Sequence, residues 1–268
     1  MYIKDFEFDG KSAKSEGFFI GTLDDEDNLT LGADITVNYT RSIGTNLSHF
    51  HGSTYDQNIS FPLQIFKFNP VTDLAEEIDD FALNKYMRWF TKDNRYCELV
   101  LITGNGHKLF TKAQINANRI EIAGRTCGFD LSINTYSPTL FREECIHTED
   151  INENGFYFDI KDSSDKEGYQ MLDVVIQCKT DGDLEIMNLF DNRTTRIKNC
   201  KKDEFINIDS KNQILISSLA SHKIYDDFNF VFPKIHNTKF NNLNTFVVNL
   251  PCKITLKYSP IALIGGVV

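Results

Sequence analysis

The sequence predicts a mainly β protein. Apolar and polar residues alternate along many short segments, as they do on strands that bury one face. Turn-forming residues separate these segments, and a single segment has helical periodicity instead. Hydrophobic residues make up 41% of the 268 residues and aromatic residues 12%, a composition typical of a folded chain with a sizeable core.

Strands dominate the first half of the chain. The segment ISFPLQI alternates strictly, and Pro62 within it favours a sheet edge or a bulge. In RYCELVLITGNGHKLF, the GNG triplet at 104–106 accepts the positive φ that a tight turn needs. We therefore expect an extended hairpin around residues 95–123, with His107 exposed directly after its turn.

One segment, DDFALNKYMRWF, has helical periodicity. Its apolar residues recur at i, i+3, i+4 and i+7: Leu83, Tyr86, Met87 and Phe90. Asp79 and Asp80 precede them and supply an N-cap and favourable charge for the helix dipole. We expect a helix over about residues 80–91 that packs on a sheet, with Trp89 contributing to the packing.

A domain boundary is predicted where the alternation lapses. From Tyr136 to Gly155 the chain reads YSPTLFREECIHTEDINENG, a charged run that is rich in turn formers. We expect a first domain over residues 1–145, a β-sandwich with the helix and the hairpin, and a second over residues 146–268. Frequent turn signals between short strand-like segments predict a β-sandwich for the second domain as well.

An aromatic segment in the second half, YDDFNFVF, predicts a further strand. Phe228, Phe230 and Phe232 alternate and would share one strand face. Core packing is favoured over a sugar-binding platform, because such a platform usually presents Trp or Tyr at the surface.

Charge and cysteine usage limit the possible classes of protein. The formal net charge is -10, and scattered basic residues argue against stable nucleic-acid binding. The N-terminus lacks the apolar core of a signal peptide, and the final IALIGGVV is too short to span a membrane, so synthesis in a cytoplasm is expected. The six cysteines form no CxxC pair, which predicts buried free thiols.

The triplet Gly10-Lys11-Ser12 has the letters that end a phosphate-binding loop. That motif requires a glycine five positions earlier, where this chain has Asp5. It also requires a following helix, whereas the chain soon reaches Gly17 and an aromatic strand. We expect a turn between two strands, with Lys11 exposed.

Other candidates for chemistry are weak. His49 and His51 alternate as metal ligands on a strand would, but no third ligand lies nearby in the sequence, and a surface or sheet-edge position is favoured. The acidic pairs Glu143-Glu144 and Asp226-Asp227 would point to opposite faces of a strand, which suits an acid/base couple poorly. Neither GxSxG nor HExxH occurs. We predict no enzyme activity and no catalytic, cofactor-binding or metal-binding residues.

An ordered series of segments resembles the distal tail proteins (Dit) of siphoviruses. The family opens with an aromatic strand, a D/N-G-x-S turn and a glycine, which is matched here by Phe6, Phe8, Gly10, Ser12 and Gly17. HGSTYDQNISFPLQIFK, the helix ending in YMRWF, and NRIEIAGRTCGFDLSINTYSPTLF resemble the rest of the family's N-terminal domain. GDLEIMNLFDNRTTRIKNC, SSLASHKIYDDFNFVFPKI and PCKITLKYSPI resemble its galectin-like C-terminal sandwich.

The resemblance covers nearly the whole chain and implies a structural role at the virion tail tip. Members of the family form a homo-hexameric ring that joins the tail tube protein to the tail-associated lysin or hub. Receptor-binding proteins are further candidate partners. A negative charge suits a ring whose lumen passes DNA, since an attractive wall would retain the polymer.

Two alternatives remain open at this stage. The second domain could be a carbohydrate-binding module that recognises host cell-wall polymers, or the chain could be an adaptor in a tailocin or contractile-tail baseplate. Within a ring, the predicted helix and the ribbon at residues 95–123 are the candidate subunit contacts.

Overall fold

The computed structural model describes residues 3–21, 35–41, 48–55, 58–69, 72, 74–92 and 95–263. The chain divides into two compact units, one of Met1–Arg142 with Ala262–Val268 and one of Glu143–Ile261. Strands dominate both units, and the predicted mainly β fold class is confirmed. Among the described residues, neither α-helix has the length and apolar composition that crossing a bilayer requires.

In the described part of the first unit there are eleven strands, one 3-10 helix (Lys14–Glu16) and one α-helix, α1 (Asp80–Phe90). Its strands are β1 (Ile3–Phe8), β2 (Lys11–Ser12), β3 (Phe18–Ile20), β4 (Ile35–Arg41), β5 (Ser48–Tyr55), β6 (Ser60–Asn69), β7 (Leu74–Ala75), β8 (Cys97–Thr103), β9 (Lys108–Ile122), β10 (Arg125–Thr135) and β11 (Leu140–Phe141).

The remaining elements follow residue 143. They are β12 (Cys145–Asp150), β13 (Phe156–Lys161), β14 (Gly168–Met171), β15 (Asp173–Cys178), β16 (Gly182–Asn188), β17 (Arg193–Cys200), β18 (Phe205–Asp209), β19 (Ile214–Ser217), α2 (Ile224–Asp227), β20 (Lys234–Asn237), β21 (Leu243–Val248), β22 (Cys252–Tyr258) and β23 (Ile261–Ala262).

A curled antiparallel sheet forms most of the first unit. Its main strand order is β2-β1-β8-β9-β10-β6-β3. Phe8 of β1 and Phe18 of β3 come from strands near opposite ends of that order, yet both belong to one buried core. The Phe18 ring meets Tyr86 of α1 edge-on, with 4.8 Å between ring centroids. The sheet therefore wraps a Phe-rich core that also buries one face of the helix.

The predicted helix is confirmed and ends at Phe90, one residue before the expected limit. Asp79 caps it, because its carboxylate accepts a hydrogen bond from the Ala82 amide at 2.7 Å. Thr91 has extended backbone angles and closes the last turn. The buried face consists of Leu83, Tyr86, Trp89 and Phe90.

The predicted strand and hairpin of the first unit are also present. β6 buries alternate residues as expected, and β3 pairs with it only from Ile65 to Lys67. Among the described strands, Pro62 is therefore covered on one side only, by β10, which confirms its edge position. The turn between β8 and β9 has a positive φ of 82° at Gly106, and His107 is exposed.

Gly128 permits the close approach of β10 to β6. A Cβ at this position would lie 2.3 Å from the Ile65 carbonyl oxygen, a contact that only backbone movement can relieve. We expect Gly128→Ala to lower the free energy of unfolding by about 3 kcal/mol, measured by urea denaturation. Ser132→Ala, at an exposed position of the same strand, should change it by less than about 0.5 kcal/mol. Equal effects of the two changes would contradict this account.

The second unit is a sandwich of two sheets. One sheet has the order β12-β22-β15-β18-β19 and the other the order β13-β21-β16-β17. Ile176 and Ile254 of the first sheet share one buried cluster with Ile186 and Phe246 of the second. The β-sandwich expected for the second half is thus present, and its predicted strands alternate between core and surface.

The strand predicted across residues 228–232 is wrong. The chain forms the short helix α2 and then an irregular segment, in which Phe228 is buried but Phe230 is 65% exposed and has a positive φ of 57°. The cause is Asn229, whose side-chain oxygen accepts the Arg196 amide at 3.0 Å and whose side-chain nitrogen donates to the Thr194 carbonyl at 2.8 Å. These bonds tie the segment to β17 and replace a regular ladder.

Candidate assembly surfaces

A two-stranded hairpin, β4–β5, presents an exposed apolar face. Tyr39 lies directly opposite Phe50 across the hairpin. The three apolar side chains on this face are 52% (Val37), 57% (Tyr39) and 67% (Phe50) exposed. Thr40 and His49 form an opposing pair on the other face, which is polar. We call the side carrying Val37, Tyr39 and Phe50 the hairpin face.

The hairpin face has the properties of a contact surface. Among the described strands, β4 and β5 pair only with each other, and strands at a sheet edge are common sites of pairing with another chain. An isolated two-stranded hairpin is marginally stable in water, and clustered exposed aromatic residues indicate a protein contact. Sequence reasoning missed this element, although the alternation of ITVNYT was a usable signal.

A second protruding surface is the far end of the β9–β10 ribbon. The two strands turn at Ala123 and Gly124, which have φ values of 51° and 77°. Most side chains from residue 118 to residue 125 are exposed. The predicted hairpin at residues 95–123 therefore exists, and β9 continues past β8 into this exposed tip. Its role as a subunit contact stays a prediction.

The predicted turn between two strands is present: Gly10 lies in the turn between β1 and β2, and Lys11 and Ser12 form β2. Gly10 has a φ of 76°, and Lys11 is exposed. The Ser12 hydroxyl donates to the Asp5 carboxylate at 2.8 Å and accepts the Ser15 amide at 3.3 Å. Only a three-residue 3-10 helix follows, so the segment has no helix N-terminus of the kind that binds phosphate.

The histidine pair occupies the polar side of the β4–β5 hairpin. His49 is exposed, and Nε2 of His51 lies 2.7 Å from Oγ1 of Thr40. Within the described ranges, no group of three or more His, Cys, Asp or Glu residues forms a possible metal site.

Neither acidic pair lies on a strand, the setting that was assumed for both. Glu143 and Glu144 are exposed. Asp226 and Asp227 lie on α2 and not on an extended strand, which corrects the basis of that prediction. Asp227 accepts a hydrogen bond from the Asn199 amide group at 2.9 Å. It is therefore part of a structural network at the surface.

The predicted free thiols are confirmed. All six cysteines are free, and all but Cys145 are buried. A hydrogen bond with Cys178, together with burial, raises the pKa of the Cys200 thiol. Burial raises the pKa of Cys252 to about 12. Since the thiolate is the nucleophile, neither group is reactive at neutral pH.

A buried polar cluster in the second unit had no signal in the sequence, because its members are distant along the chain. Glu204 is fully buried, and its carboxylate accepts hydrogen bonds from the Ser217 hydroxyl and the Lys201 amide. Nδ1 of His222 lies 2.6 Å from the same carboxylate. These contacts hold the β17–β18 turn against the loop that follows β19.

Glu204 should make stability depend on pH. Burial raises the pKa of its carboxyl. The hydrogen bonds from Ser217, His222 and Lys201 together lower the pKa by more than burial raises it, so the pKa lies below its ordinary value. Ionised Glu204 therefore stabilises the fold above its unfolded pKa of about 4.3. That contribution is lost as the pH falls through the lower folded pKa.

We expect Glu204→Gln to lower the free energy of unfolding at neutral pH by about 1–3 kcal/mol. The free energy of unfolding should also fall less steeply as the pH is lowered, because the titrating carboxyl is gone. Urea denaturation at a series of pH values measures both effects. Glu153→Gln, at an exposed position, is the matched control. If the free energy of unfolding falls as steeply with decreasing pH in Glu204→Gln as in the wild type, Glu204 is not the group that makes stability depend on pH.

Comparisons with known proteins agree with the predicted resemblance. A family model described as a phage tail protein N-terminal domain matches residues 1–137. A second, described as a phage tail C-terminal domain, matches residues 140–258. No match was found among curated protein sequences.

Among solved structures, the chain is similar to the crystal structure of SPP1 Dit (gp 19.1). That protein is described as a paradigm of the hub adsorption apparatus in phages that infect Gram-positive bacteria. The TM-score is 0.67 at 10% sequence identity, over 97% of this chain and 100% of that one. The predicted resemblance to siphovirus distal tail proteins is confirmed. Since the two family matches together span nearly all of its length, the chain belongs to the phage tail protein family and is a structural component of the virion tail.

Proposed function

We propose that this tail protein forms a homo-hexameric ring at the tail tip, which joins the tail tube protein to the tail-associated lysin or hub. The observation that carries the proposal is the likeness to SPP1 Dit, a hub adsorption protein, over 97% of this chain and 100% of that one. Both units of this chain thus have counterparts in a protein of that apparatus. In this role the chain is a scaffold, made in the host cytoplasm and acting without catalysis.

The surface of the first unit supports assembly. Ring closure requires each subunit to offer its neighbour a contact, and the hairpin face offers exposed aromatic side chains of the type that dominate interface energies. The protruding end of the β9–β10 ribbon offers a second, polar contact. We propose the hairpin face as the main subunit contact.

Native mass spectrometry of the purified chain tests the proposal. We expect a species of about six times the subunit mass of 30.8 kDa, and six-fold rings in negative-stain images. Co-expression with the tail tube and hub proteins of the same phage should enrich that species. A chain that stays monomeric both alone and beside those proteins would contradict the ring. Images of the parent particle distinguish a siphovirus tail from a tailocin.

A further inference from the structure

A cleft of about 650 Å³ lies beside helix α1 in the first unit. Four basic side chains and two aromatic residues line it: Lys11, Lys85, Arg88, Lys92, Phe81 and Trp89. Such a concentration of positive charge is unexpected in a chain with a formal net charge of -10. Lys11 is the lysine of the Gly10-Lys11-Ser12 triplet, which does not form a phosphate-binding loop.

Two of the four cations are already neutralised. Lys85 forms an ion pair with Glu16 at 2.6 Å. Lys92 lies 2.9 Å from the Asp9 carboxylate, and its hydrogen bond lowers the pKa of that group. In the part of the chain that the structure describes, Lys11 and Arg88 have no such partner. The cleft therefore keeps two positive charges available to an anionic ligand.

The cleft also has an apolar component. Phe81, on the first turn of α1, is 86% exposed. Trp89 is held at the inner wall by a hydrogen bond from its indole N–H to the Phe8 carbonyl oxygen at 2.8 Å. A ligand that fits this surface needs an apolar group beside its negative charges.

We propose that the cleft binds an acidic segment of another tail protein, with carboxylates at Lys11 and Arg88 and an apolar side chain on Phe81. The identity of the partner as a tail protein rests on the proposed function. A nucleic acid fits less well, because two cations would neutralise few phosphates.

Fluorescence anisotropy of a labelled peptide tests this inference on the full chain. The probe is a short glutamate-rich peptide with one central leucine, and the reference peptide carries glutamine in place of glutamate. We expect binding of the first peptide only, weakened by added salt. Emission from Trp89, the single tryptophan, should change on binding and so locate the peptide at the cleft.

Charge reversal supplies the matched comparison. Lys11→Glu with Arg88→Glu should weaken binding of the acidic peptide at least about tenfold. Lys108→Glu with Lys112→Glu makes the same change in charge at exposed positions of β9 and should leave binding within about twofold. Since all four side chains are exposed, both variants should keep the thermal midpoint of the wild type. Lys11→Gln with Arg88→Gln is the milder variant should the reversal disturb folding.

Three results would overturn the inference. They are no binding of the acidic peptide, equal weakening by both charge reversals, and binding of an oligothymidylate with no binding of the peptide. The last would assign the cleft to nucleic acid. The native mass of the wild type is measured separately. If the chain forms the ring but does not bind the peptide, the proposed binding at the cleft is refuted and the proposed ring still stands.

Discussion

Tyr39→Asp combined with Phe50→Asp should convert the proposed ring into monomers. The aromatic side chains of Tyr39 and Phe50 lie opposite each other across the β4–β5 hairpin, and both are mostly exposed in the single chain. In a ring they would be buried against a neighbour, where an unpaired carboxylate is costly. Aromatic interface residues of this kind each contribute about 2 kcal/mol or more. Subunit association should therefore weaken by at least about a hundredfold.

Native mass spectrometry at matched protein concentration measures this loss. Thr54→Asp adds a carboxylate to the opposite, polar face of the same hairpin, since Thr54 pairs with Thr36, and it should leave the ring intact. Circular dichroism should show an unchanged fold for both proteins. If the double variant still forms an assembly of the wild-type mass, the hairpin face is not part of the subunit contact.

Trp89→Ala should lower the free energy of unfolding by roughly 3–5 kcal/mol. The Trp89 side chain is 4% exposed and stacks on Phe90 with 4.5 Å between ring centroids. Its indole N–H also ties α1 to β1 through the Phe8 carbonyl oxygen. Truncation would leave a cavity and remove this buried hydrogen bond, so two costs add.

Urea denaturation of the wild type and the variant gives the difference. Phe81→Ala removes an aromatic ring from the same helix at a position that is 86% exposed and should cost less than about 0.5 kcal/mol. A near-zero effect of Trp89→Ala would mean that the helix is not anchored by this residue.

The elements predicted from the sequence are those whose cause is local. Helix α1 is specified by its own cap at Asp79 and by its own periodicity, and both are visible in twelve adjacent letters. The turn at Gly106 likewise needs only the residues beside it. Strand alternation located the core faces of β6 and β10 because burial on one side leaves a period of two.

The features that escaped prediction depend on distant partners. Asn229 prevents a strand by bonding to β17, some thirty residues earlier, and no neighbouring letter signals that contact. Glu204 is buried only because Ser217 and His222 reach it from another loop. The basic cleft gathers Lys11 and Arg88 from β2 and α1, which are far apart in the sequence. Tertiary packing decides all three.

In the proposed assembly, six copies of this chain close a ring at the tail tip. A cryo-electron microscopy map of the tail tip of the parent particle tests it most directly. We predict one ring of six subunits between the tail tube and the hub, with the hairpin face of each subunit buried against its neighbour. A map in which the chain occupies another part of the virion, or has a copy number other than six in its ring, would contradict the account.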